Sequence, residues 1–159
     1  MSPALRRVIL PFLPALLPLA VAWVRAREGL AIRHGIALDA TQLDDARAIG
    51  VREPERVRLL GVEAIPTFQS RLLAPLAWLT RDVFQQTAGI TVQYGILIRA
   101  DCWGSRPLII HELTHVAQYE RLGGIRPFLA AYLKECLIEG YPNGELEQEA
   151  IVTTARFMV

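Results

Sequence analysis

Residues 108–124, LIIHELTHVAQYERLGG, place His111 and His115 four positions apart with Glu112 between them. On a helix such positions lie one turn apart on the same face, so both imidazoles can approach one metal ion. The spacing predicts a Zn²⁺ site, with Glu112 beside the ion where it can take a proton from a metal-activated water. The flanks support a helix. Ser105-Arg106-Pro107 reads as an N-cap with proline in the first turn, Leu108 to Ile110 are apolar, and Gly123-Gly124 ends the segment after Arg121. The competing reading is a helix with two structural histidines and a surface glutamate.

Two protein ligands hold zinc poorly, so a third is expected downstream. Asn143 reads as the N-cap of a final helix bearing Glu145, Glu147 and Glu149, each of which can supply a carboxylate or simply complement the helix dipole.

With those residues the chain resembles the zincin metallopeptidases of the gluzincin type, over about residues 88–157. In that family the third ligand is a downstream glutamate within a Glu-x-x-Ala-Asp pattern. Glu147-Gln148-Glu149-Ala150 matches its first four positions, so the resemblance implies Glu147 as ligand beside His111 and His115, and Glu112 as the catalytic base. The branch with a third histidine is excluded, because no histidine follows His115. Ile151 stands where the family has an aspartate that supports a ligand histidine; Glu149, Asp101 or a backbone carbonyl are the substitutes. For an oxyanion donor the candidates are Tyr141, Tyr119 and His34.

The 159 residues allow one core, and a hydrophobic fraction of 52% makes it an apolar chain. Net charge +1 gives no electrostatic case for nucleic acid, and Cys102 and Cys136 read as free thiols. The expected class is α+β: a small zincin-like domain, with a short β-sheet followed by the HExxH helix and a downstream glutamate-bearing helix. Asp39-Ala40-Thr41 opens a short helix that Gly50 stops. Strands are expected at Val57–Ile65, closed by Pro66, and along Ile90–Ala100, where Gly95 marks a kink, bulge or close backbone approach. Helices are expected at Leu72–Phe84 and Phe128–Ile138, with Gly140, Pro142 and Gly144 turning the chain into the glutamate helix. By the resemblance, Gln93 to Ile98 would line the cleft and pair with an extended peptide.

Val8 to Val24 is seventeen uncharged residues between Arg6-Arg7 and Arg25, Arg27. It reads as a signal peptide with Ala20-Val21-Ala22 as cleavage signature, as a membrane anchor, or as an arm packed on the domain or a membrane surface. Pro11, Pro14 and Pro18 weigh against a straight spanning helix. Residues 1–24 are thus taken as an apolar arm and 25–159 as the domain. Localisation follows the arm: membrane-associated or exported if it is an anchor or signal, cytoplasmic otherwise. The first functional expectation is a zinc-dependent peptidase acting on a peptide or protein substrate. The alternatives are a zinc-binding domain without turnover and a membrane-associated interaction protein.

Overall fold

A computed structural model describes residues 10–67 and 87–158, a mixed α+β fold. The helix expected at Leu72–Phe84 lies outside the described residues. In chain order the helices are α1 (Leu13–His34), α2 (Ala40–Ile49), α3 (Arg106–Leu122), α4 (Ile125–Ile138) and α5 (Glu145–Phe157). The strands are β1 (Ile36–Ala37), β2 (Arg58–Val62), β3 (Gly89–Val92) and β4 (Gly95–Arg99), and the sheet order is β1-β2-β4-β3. Only the central pair, β2 and β4, is parallel.

Period-two alternation divides the sheet between two cores. On β4, Ile96 and Ile98 join Leu59 of β2 against Ala46 of α2 and Ile109, Leu113 and Val116 of α3. Leu97 turns to the opposite face, where Val92 meets Leu17, Val21 and Val24 of α1 and Phe128, Leu129 and Leu133 of α4. Two apolar layers on one four-stranded sheet account for the high hydrophobic content.

Local chemistry sets most boundaries as expected. Asp39 and Gln42 form a reciprocal capping box on α2, and Gly50 closes that helix with φ 102°. Pro107 lies in the first turn of α3 and Gly123, at φ 95°, ends it, although Ser105 makes no side-chain cap bond. At α5 the N-cap is Gly144, one residue after Asn143. The exposed donor of Leu146 is answered instead by Glu135 Oε2 of α4, at 3.0 Å. A Cβ on Gly144 would lie 2.7 Å from that oxygen, so the glycine is what lets α4 grip the first turn of α5.

Two expectations need correction. Ile90–Ala100 is not one strand but a hairpin, turning at Gln93-Tyr94 with Gln93 at φ 64°. Tyr94 holds the turn: its hydroxyl lies 2.9 Å from Glu53 and 3.1 Å from Glu120, both distant in sequence. Consequently β4 is paired on both sides and β3 is the edge among the described residues, so Gln93 to Ile98 cannot receive an added strand. Of the readings open for Gly95, the close approach is the one seen, since a Cβ there would stand 2.6 Å from Ala31 of α1. α1 runs unbroken from Leu13 to His34, with Leu17, Ala20, Val21, Trp23, Val24 and Ala31 buried. Leu10–His34 is also the one segment among the described residues long and apolar enough to cross a membrane, by length and composition alone.

Candidate metal centre

α3 delivers His111 and His115 one turn apart, as their spacing requires. α5 packs along α3 and brings Glu147, the second buried residue of its first turn, to the same point. The two Nε2 atoms are 3.2 Å apart. Glu147 Oε1 lies 3.2 Å from His111 Nε2 and Oε2 lies 3.5 Å from His115 Nε2. His111, His115 and Glu147 thus form a cluster that can hold a metal ion. Neither of the other two glutamates joins it: Glu145 is exposed, and Glu149 binds Arg121 and Gln118.

His115 is aimed by a polar chain that the sequence did not reveal. Gln118 Oε1 lies 2.7 Å from His115 Nδ1, while its amide nitrogen donates to Leu146 O at 2.8 Å and Glu149 Oε2 at 2.9 Å. Carbonyl and carboxylate oxygens only accept, so the Gln118 NH₂ must face them and Oε1 must face the histidine. In its neutral form His115 then carries its proton on Nδ1 and points the Nε2 lone pair into the site. Gln118 is thus the side chain that orients His115, while Ile151, where the resemblance puts an aspartate, is exposed. Of the expected substitutes, Glu149 acts one step back, holding Gln118 while paired with Arg121 at 2.6 and 2.7 Å. Asp101 is committed elsewhere, to Arg99.

Burial opposes the charge on Glu147, but hydrogen bonds and attraction from His111 and His115 outweigh it and hold the carboxyl well below its usual range. Burial works against a proton on His115, yet the Glu147 bond and the nearby Glu112 charge prevail and raise its affinity for one. Tyr132 of α4 donates to Glu147 Oε2 at 2.9 Å, and Tyr141 lines the same cavity. Burial, then the Glu147 charge, keep both phenols protonated.

Glu112 is buried beside the cluster. Thr91 Oγ1 of β3 lies 2.7 Å from its Oε2 and 2.9 Å from its backbone oxygen. Gly89 makes room for it, because a Cβ there would fall 2.9 Å from Glu112 Oε1. These groups line a cavity of about 90 Å³ beside the edge strand, walled on its apolar side by Ala20, Trp23 and Val24 of α1 with Leu129 and Leu133 of α4. Of the oxyanion candidates, Tyr141 and Tyr119 reach the cavity. The Tyr119 hydroxyl is engaged by Thr91 O at 3.3 Å, and His34 is exposed at the end of α1.

Compared with protein-family descriptions, curated proteins and solved structures, the chain matches none of them.

Proposed function

We propose that this protein is a zinc-dependent peptidase. The observation that carries the reading is the meeting of Glu147 with His111 and His115 while Glu112 stays buried alongside, outside the ligand set. Nitrogens at about 2.05 Å from a tetrahedral zinc stand roughly 3.3 Å apart. The 3.2 Å between the two Nε2 atoms matches that spacing, and a mixed nitrogen and oxygen donor set suits zinc over the harder calcium and magnesium.

Bound zinc supplies a Lewis acid and lowers the pKa of an attacking water toward about 7. The chain's own residues supply the remainder. Glu112, fixed by Thr91 and by the clearance over Gly89, accepts the proton of that water and returns it to the leaving amine. Tyr141, a neutral donor in the cavity, is placed to hydrogen-bond the carbonyl oxygen as negative charge develops there. Tyr132 and Gln118 hold Glu147 and His115 in position. The apolar wall excludes bulk water and strengthens each of these electrostatic contacts.

The test compares wild-type protein with Glu112→Gln on an unstructured protein substrate, with metal analysis of both. Equimolar zinc in both, cleavage abolished by chelator in the wild type, and a fall of about 10²- to 10⁴-fold in the variant are the expected results. Wild-type protein that carries zinc and cleaves nothing would leave a metal-binding domain without turnover. Absence of zinc sinks both.

A further inference from the structure

α1 has two faces with different fates. Its inner face is core, and part of it walls the metal cavity. Its outer face begins with Phe12, Pro14, Ala15, Pro18, Leu19 and Ala22, all exposed and all apolar, and continues on the same stripe into exposed Arg25 and Arg33. Phe12 keeps 62% of its surface and Leu19 39%. A helix apolar on every side is expected to be surrounded by apolar material, and here the described residues cover one side only.

We propose that this outer stripe docks on an anionic lipid membrane, with α1 lying in the plane of the interface. Three observations favour lipid as the occupant. First, two exposed arginines share the stripe with the apolar residues, so a helix lying in the interface offers both acyl-chain and phosphate-headgroup contacts. Second, Pro18 has no N–H, so the Pro14 carbonyl loses its helical donor on the exposed side. That acceptor needs water, which sets the depth at the headgroup boundary and not within hydrocarbon. Third, a second copy is a poor cover. Antiparallel pairing of two such stripes would press each arginine against the apolar half of the other, burying cations without partners. Docked in this way, the metal cavity sits one helix diameter, about 10 Å, above the interface.

Full-length protein is mixed with vesicles of phosphatidylcholine alone or with 30 mol% phosphatidylglycerol, and bound protein is separated by flotation. Phe12→Glu/Leu19→Glu changes exposed positions only, and circular dichroism verifies its fold. Expected is co-flotation with the anionic vesicles, a fall of roughly tenfold or more in the double variant, and a weaker loss in Arg25→Gln/Arg33→Gln or in high salt. No flotation, or flotation indifferent to the stripe, overturns the proposal. So does a dimer in sedimentation equilibrium that Leu19→Glu dissolves, which would show a second copy on this face. Metal content in the same fractions keeps the outcome separate from the peptidase reading: apo protein that floats refutes zinc and retains the membrane.

Discussion

α3 and α1 invert each other. α3 buries glutamate, threonine, histidine and glutamine in its middle, and every one of those side chains has a partner. α1 carries no ionisable group in its first half, yet leaves much of that half uncovered. Burying polar atoms costs free energy unless each is satisfied, and exposing apolar surface costs free energy unless something covers it. One helix therefore announces its function by polar groups where none are cheap, the other by apolar groups where none are needed.

The sharpest way to break the contrast is to remove polarity from the inside. Glu147→Ala leaves the two histidines and the Tyr132 hydroxyl facing a void, and zinc affinity should fall by more than about 100-fold in a chelator competition titration. Gln118→Ala spares all three ligands but frees His115 to change tautomer; a loss of about 10- to 100-fold in the same titration is expected. Gly89→Ala adds a single methyl against Glu112. Overpacking there should lower stability by about 1–3 kcal/mol in denaturant melts and cut activity while zinc content holds. The mildest perturbation is pH. His115 in the metal-free site binds its proton more tightly than an ordinary histidine, so the proton stays on until pH rises through that elevated value. Zinc needs the unprotonated nitrogen, and its affinity should therefore climb with pH across a window beginning above about 6.5. Affinity measured at half-unit steps from pH 6 to 8 checks the sign.

Much of α3 was legible because its signals are local: histidine spacing, a proline near the start, a glycine in the left-handed region at the end. Glu147 was legible only through a family pattern, since three glutamates share that turn and only packing on α3 selects among them. Gln118 escaped notice although it lies three residues after His115, because an amide has no chemistry of its own that spacing reveals. Its role comes from Leu146 and Glu149, about thirty residues away. The β3–β4 hairpin was hidden for another reason. Gln93 occupies a positive-φ position that glycine or asparagine usually marks, and Tyr94's distant carboxylates stabilise the turn in their place. Tyr132 gave no signal at all, being one of two aromatics on an apolar helix.

Glu135's hold on the first turn of α5 reaches beyond capping. It sets the axial height of Glu147, the residue next to the bonded Leu146, so α4 acts as the jig that fixes how high that carboxylate stands against α3. An ion shared by His115 and Glu147 would then close a ring of chain containing the whole of α4, a staple across a long loop in a small domain. Metal and helix would each be the other's template: α4 sizes the gap, and the ion, once in it, stops α4 and the α1 surface resting on it from drifting apart.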